Sequence, residues 1–368
     1  MVFCGCGRDG SSKEPSVPAE MVTVTFQLNN GQPDVVLEAE KGTCVQNPPT
    51  PTKPGCEFAG WYQELNPWKP DSKPVEKDTV LVAKWKLTPE TFLPDPNAAI
   101  RAEGTDVRVC SFNVLSPLRG AKHPLGDRPQ CFLDTALSYL PDVIGIQEYD
   151  EPWHPAFLKT FKNSGFRLVT GDLDTVNGIR TTRELAYRAD RLTLLEHGIT
   201  SCPVNSIESY NGRFIWALFE TKDSARQRFM VVSLHWYWDD EDARTEESSY
   251  LVNWLQEARA THEVPIICVG DYNATEEEIS YQLLLQRSRL QDAKYAVKEQ
   301  GFVATTYHDR PSADSYTETT ANSVLSIDHI LYTDDIEALY YSTIIDTTAL
   351  SASDHTPIYA DLKFCSAS

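Results

Sequence analysis

The sequence predicts an α/β architecture in which two mixed β-sheets are covered by helices, with a small β-rich unit ahead of them. Three observations predict it. Ile266, Ile267, Cys268 and Val269 run unbroken within PIICVGDYN, as a strand covered on both faces does. Helix-spaced segments alternate with strands, yet several strands follow one another directly, which favours packed sheets over a doubly wound parallel sheet. Near the start, VTVTFQL and DVVLEAE alternate apolar and polar residues and flank the turn NNGQ, the pattern of half-exposed paired strands.

The bulk numbers bound what such a chain can do. Its 368 residues leave room for one large domain and a smaller one. Apolar content of 41% and charged content of 23% are those of a folded protein. With 33 Lys and Arg against 53 Asp and Glu, the net charge is −20, which disfavours binding to a long polyanion through its phosphates. Nine cysteines form no CxxC pair and no zinc pattern, and Cys110 and Cys268 lie inside apolar runs as small buried residues. Their odd number and placement lean towards a reducing compartment, whereas an oxidising one would allow Cys44 to pair with Cys56. No apolar run reaches the ~18 residues that a membrane span requires. With Met1 as the native start there is no signal peptide and the protein is expected inside the cell; trimmed to Cys4 or Cys6, it would be a surface lipoprotein.

In chain order, residues 1–20 read as a flexible tail rich in Gly, Ser, Lys, Glu and Pro. Residues 21–86 form the β-rich unit, in which NPPTPTKP is a loop and FAGWYQ and DTVLVAKWKL complete the strands. Residues 87–104 lack periodicity and serve as a linker to a second domain spanning 105–364. That domain opens with the strand VRVCSFNVL, continues with helical spacing from Phe132 to Leu140 that Pro141 and Asp142 stop, and returns as the buried strand DVIGIQEYD. Strands follow at Glu184 to Arg188, Phe214 to Thr221 and Phe229 to His235, then an acidic helix from about Asp240 to Ala260. After GDYN come a short helix near Ile279 to Gln286, strands near Asp328 to Tyr332 and Ala338 to Ile345, and the last strand IYADLKF.

One feature recurs along this domain. Buried strands end in Asn113, in Glu148, in His235, in Asp271 with Asn273, in Asp328, and in Asp354 with His355. An isolated GDYN is an ordinary turn, but repeated metal-ligating and proton-transfer groups at strand exits point to one convergent site. A carboxylate beside an amide at the end of a rigid strand suits phosphate chemistry: one can hold or deprotonate water while the other donates to phosphate oxygens. His235 is followed by Trp236, Tyr237 and Trp238 and by an acidic run; rather than stacking on a base, sugar or headgroup, alternate rings are expected in the core and the acids at a solvated helix start, where the dipole favours them.

Two resemblances sharpen these expectations. Residues 21–86 resemble the Listeria–Bacteroides repeat, through Lys41-Gly42-Thr43, Pro48 to Gly55, Phe58 to Tyr62 and Ala83 to Trp85, with Cys56 where an aromatic is usual. This implies a β-grasp-like spacer or binding module that attaches to an unidentified protein or surface, with Trp61 and Trp85 in its core. The second domain resembles the endonuclease/exonuclease/phosphatase superfamily, through SFNVLS, DVIGIQE, ELAYRADRLTLLEHG, VVSLH, VGDYN, SIDHILY and SDHTPI in that order. The resemblance implies a four-layer sandwich of two mixed, mainly antiparallel sheets flanked by helices. It implies Glu148 and Asn113 as Mg²⁺ ligands, with Mn²⁺ as the substitute, and Asp354 completing the metal region. It further implies that Asp271 activates the attacking water, Asn273 and His235 contact phosphoryl or leaving-group oxygens, and His355, oriented by Asp328, stabilises the transition state. Arg128 and Arg244 match positions where related sequences carry arginine and are candidate substrate contacts; His329 is expected to be packing.

The resulting expectation is a metal-dependent hydrolase of a small or headgroup-type phosphate mono- or diester. A DNA or RNA nuclease is the first alternative, and a catalytically silent binding protein the second.

Overall fold

The apolar runs become strands because their β-branched residues fit a pleated surface buried on both sides. The computed structural model describes residues 19–118, 123–171, 175–176, 179–180, 182–208 and 210–365. Most of the expected N-terminal tail, with Cys4 and Cys6, lies outside the described residues. Among the described residues two compact units separate, the smaller drawn from residues 19–27, 34–50 and 60–83 and the larger from 28–33, 51–59 and those from 84 onwards.

The N-terminal strands build one five-stranded sheet in the order Val35–Glu40, Met21–Gln27, Thr79–Leu87, Cys56–Gln63, Asn66–Trp68. Met21–Gln27 runs antiparallel to Val35–Glu40 and parallel to Thr79–Leu87. The expected NNGQ turn is present, with Asn29 and Gly31 at positive φ. Trp61 and Trp85 are both buried, and Trp61 meets Phe26 edge-on at 4.7 Å, so the tryptophans are core residues as expected.

In the larger unit, a seven-stranded sheet runs Glu299–Gln300, Ile336–Thr343, Ile358–Phe364, Val107–Asn113, Val143–Gln147, Glu184–Arg188, Phe166–Leu168. A six-stranded sheet runs Leu192–Pro203, Asn211–Thr221, Arg228–His235, Ile266–Asp271, Asp328–Tyr332, Gln291–Asp292. Both are mixed and mainly antiparallel, with Val107–Asn113 parallel to Val143–Gln147 and Arg228–His235 parallel to Ile266–Asp271. Their inner faces share one core containing Val109, Val143 and Ala360 from the first sheet and Val231, Val269 and Ile330 from the second. Gly145 lets the sheets approach closely there, since a Cβ would run into the side chain of Val269.

Helices cover both outer faces. Arg128–Tyr139, Trp153–Thr160 and Thr347–Ala352 pack on the seven-stranded sheet, and Glu241–His262 and Ile279–Ser288 on the six-stranded one. The expected four-layer sandwich is therefore the observed one. Leu192–Pro203 did not stand out in the sequence because its long half-exposed run is interrupted by a bulge between Leu194 and Glu196 that breaks its alternation. The expected ring packing after His235 also holds in part: Trp236 is buried against Tyr272 at 4.8 Å and Tyr237 packs on Tyr210, whereas Trp238 is 60% exposed. Asp240 caps the following helix by accepting from the Ala243 N–H. No helix among the described residues is long and apolar enough to cross a membrane.

Candidate active site

Strand parity decides which polar side chains meet. Residues two apart share a face, so Asn113 lies on the face of Val109 and Asp271 on that of Val269; both therefore emerge at the open end of the inter-sheet core. Register then aligns the strands. His235 is the direct partner of Asp271, and Asp271 of Asp328, which sets three polar side chains in a row across one sheet. On the other sheet Asn113 partners Gln147, which brings Glu148 beside it. A one-residue slip in any of these pairings would turn the affected side chain away from the site.

Hydrogen bonds lock the row together. Asn113 Nδ2 donates to Asp271 Oδ2 at 3.0 Å and lies 3.4 Å from Glu148 Oε1. Glu148 Oε2 accepts from the Ser116 N–H at 2.8 Å. His235 Nε2 stands 3.4 Å and His355 Nε2 3.7 Å from Asp271 Oδ2, while His355 Nδ1 pairs with Asp328 Oδ2 at 2.8 Å. Asn273 donates its N–H to Asp271 Oδ1 at 2.8 Å and its Nδ2 to the Trp236 carbonyl at 2.9 Å. Asp354 is held in the same loop as His355, its carbonyl accepting from the His308 N–H. Glu148 and Asn273 both sit in the left-handed region, at φ 55° and 47°. Strain of that kind, of order 1–3 kcal/mol per residue, concentrates where a side chain must be aimed rather than relaxed.

The electrostatics are those of crowded acids. Burial pushes the Asp271 carboxyl up to about 7; His355 opposes the shift and Asp328 adds to it. Burial alone would lower His355, but Asp328 and Asp271 raise it well above the ordinary imidazole range. Asp354 is raised first by burial, with His355 opposing and the charge of Glu148 adding to the rise. The ligand atoms of Asp271, Asp328 and His355 lie within 4.8 Å of one another, a group of the size that encloses one ion. Glu148 and Asp354, close enough for the charge of one to raise the other, offer hard carboxylate oxygens of the kind that suits Mg²⁺ or Mn²⁺, and a divalent cation there would relieve their repulsion. Asn113 turns Nδ2 towards Glu148 while its Oδ1 accepts from the Leu115 N–H at 2.9 Å, so its oxygen would join such an ion only by giving up that bond.

Arg128 and Arg244 do not join this cluster through their guanidinium groups. Arg128 is buried and donates to the carbonyls of Val114, Leu115, His123 and Ala352, pinning the loop beyond Asn113. Arg244 donates to the Tyr237 and Trp238 carbonyls and pairs with Glu278 at 2.6 Å. Arg128 spends its guanidinium donors on backbone carbonyls, and Arg244 spends its terminal nitrogens on carbonyls and Glu278 while its Nε stays buried without a hydrogen-bond partner. His329 is more than packing, because both ring nitrogens are bonded, to Asp292 and to the Ala274 carbonyl, each at 3.0 Å. Three neighbours escaped the sequence reading. Asp150 accepts from the Ser116 hydroxyl, Arg183 donates to the His235 carbonyl, and the Tyr307 ring, 46% exposed, meets His355 edge-on at 5.5 Å. Arg183 and Tyr307 end no strand of the sequence reading, and Asp150 lies two places past Glu148, beyond the exit residue that the apolar run singled out.

Comparison with known proteins bears on the family and the fold. The profile of the Endonuclease/Exonuclease/phosphatase family matches residues 110–355, and that of the Listeria-Bacteroides repeat domain matches residues 23–84. A mannosyl-6-phosphatase from Bacteroides thetaiotaomicron shares the fold with a TM-score of 0.59 at 19% identity, over 70% of this chain and 100% of that one. The human nocturnin catalytic domain does so with a TM-score of 0.52 at 20% identity, over 72% of this chain and 96% of that one. A protein of Evansella cellulosilytica whose name describes it only as a membrane protein is 36% identical over 72 residues, 19% of this chain and 11% of its own length. This chain spans about a tenth of the length of the curated relatives it matches.

Proposed function

Because this chain belongs to the endonuclease/exonuclease/phosphatase family, whose members hydrolyse phosphoesters, we propose that it is a Mg²⁺-dependent phosphoesterase acting on a small or headgroup-type phosphate mono- or diester. The observation that carries the reading is the aligned row His235, Asp271, Asp328, with His355 closing on it and Asn113 and Glu148 facing it.

Glu148, Asn113 and Asp354 would hold the cation, which when bound neutralises phosphoryl charge and polarises the reacting phosphorus centre. Asp271, whose proton affinity lies near neutrality, receives the proton of the attacking water. His355, charged and oriented by Asp328, donates from Nε2 to the charge that builds on phosphoryl oxygens. His235 and the Asn273 amide complete the hydrogen bonds around that centre. The net charge of −20 favours a compact substrate over a nucleic acid, whose many phosphates such a protein repels. The mannosyl-6-phosphatase among the fold neighbours is consistent with a sugar phosphate as one candidate. The N-terminal repeat would attach the enzyme to a protein or surface.

The test is a panel of phosphate esters and labelled oligonucleotides offered to the purified full chain with Mg²⁺, with Mn²⁺ and with EDTA. Turnover of small esters, abolished by EDTA and by Glu148→Ala, is the expected result. Activity confined to oligonucleotides and falling steeply with salt would replace it with the nuclease reading, and undiminished turnover by Glu148→Ala would remove the site assignment.

A further inference from the structure

Behind the Asp271–Asn273 turn lies a buried polar group that the proposed chemistry does not use. His329 is the direct partner of Gly270 across the sheet, on the face opposite Asp328 and Asp271. Its ring is enclosed by Tyr281 at 4.6 Å and Tyr272 at 5.4 Å. Nδ1 meets Asp292 Oδ2 and Nε2 meets the Ala274 carbonyl, each at 3.0 Å. Asp292 is itself fully engaged, accepting from the Tyr281 hydroxyl at 2.7 Å and from the Lys294 N–H at 2.8 Å. A carboxylate and a carbonyl are both acceptors, so only an imidazolium donating from both nitrogens satisfies the two at once.

The partner that matters is Ala274, the residue after Asn273. Asn273 holds a left-handed backbone that asparagine tolerates but does not prefer over the ordinary regions. The turn is tied at its near end by the Tyr272 N–H, which donates to the Ile327 carbonyl at 2.8 Å. At its far end the ties are His329, on the Ala274 carbonyl, and Glu278, whose Oε1 accepts from the Thr275 N–H at 3.0 Å. We propose that His329, clamped by Asp292 and Tyr281, is a positioning residue that pins the Ala274 carbonyl and thereby holds the turn that aims the Asn273 amide at the phosphoryl group. It touches no substrate and acts through Asn273, so this inference rests on the phosphoesterase reading for its kinetic consequence. The anchoring of the turn does not.

His329→Gln keeps a polar side chain but cannot donate to Asp292 and Ala274 from opposite sides. Hydrogen exchange of the full chain without substrate is expected to quicken in peptides covering residues 271–275 and to stay unchanged in the Asp328–Tyr332 strand beyond the substituted position. In turnover, kcat is expected to fall about 10–100-fold, the range for removal of an outer-shell support, with KM within about twofold. In an Asn273→Ala background the same substitution should cost less than about twofold, because its effect passes through the side chain already removed. Equal losses in both backgrounds, unchanged exchange at 271–275, or general loss of protection across the sheet would each overturn the proposal. Should His329→Gln not fold, Tyr281→Phe, which removes one bond to Asp292, must show the same local pattern in weaker form, and its absence counts against the proposal equally. A wild-type chain that hydrolyses no phosphate ester would sink the proposed function, while the exchange result would still decide the anchor.

Discussion

The strand Val107–Asn113 carries a buried polar residue near each end, and the two ends are built on opposite principles. At the Arg108 end charges are matched: its guanidinium pairs with Asp361 at 2.6 Å and donates to the Ala98, Ile100 and Tyr139 carbonyls, while Arg101 and Arg191 hold Asp142. At the Asn113 end four carboxylates, Asp271, Asp328, Asp354 and Glu148, gather, and among the described residues His235, His355 and the more remote Arg128 guanidinium oppose them. A buried charge with its partner removed costs about 3–5 kcal/mol, so the first cluster is tuned for stability. The second leaves negative charge unbalanced, which suits the cation proposed to bind there and which that cation would have to offset before an anionic phosphoryl group could enter. The strand Val107–Asn113 thus runs from a structural end to the end at which both sheets contribute to the proposed chemistry.

Substitutions can break that contrast. Asp271→Asn is expected to lower kcat by at least about 10³-fold, near the top of the range for loss of a positioned base, while leaving the melting temperature unchanged or raised because crowding among the acids is relieved. Arg108→Ala should do the reverse, costing about 3–5 kcal/mol in urea unfolding with kcat of the folded fraction retained. If both substitutions impair both properties alike, the two ends do not differ as argued.

Smaller effects sharpen it. Burial pushes Glu247 up to about 7, against its hydrogen bonds from the Tyr237 N–H and Tyr210. A raised carboxyl favours the folded state while protonated, so its contribution is complete below the ordinary value of 4.5 and is lost as pH rises through about 7. Glu247→Gln should therefore flatten the decline in stability over that window, by on the order of 3 kcal/mol in urea melts compared at its two ends. At a hundred times its dissociation constant, Mg²⁺ should stabilise the wild type by about 2.7 kcal/mol and leave Glu148→Ala unmoved, a binding readout independent of turnover. The smallest change is expected at the exposed Arg259, paired with Asp334 and Asp335 near 3 Å: Arg259→Ala should shift stability by less than about 1 kcal/mol.

The contrast between ends was only half legible in the sequence. Apolar runs ending in Asn113, Glu148, His235, Asp271 and Asp328 marked the chemical end, because a buried strand announces itself locally and its last residue is known once the run stops. Nothing comparable marked Arg108, Asp361 and Asp142 as one cluster, since their partners lie far along the chain. Arg128 and Arg244 show the same limit: their type and position made them candidates for touching substrate, while the carbonyls that accept from them are visible only in the folded chain.

By itself the sequence determined the buried strands that lead to the site, though not the half-exposed Leu192–Pro203 or the short edge strands, and with them which side chain stands at each exit and which face it takes, for these follow from composition and from a period of two. Tertiary structure alone decided that His235, Asp271 and Asp328 fall in register, that Glu148 and Asn273 turn through left-handed backbone, and that His329 reaches behind the site to Ala274. The physical reason is that parity is a property of one strand, whereas register and hydrogen-bond partnership belong to pairs of segments that meet only after folding.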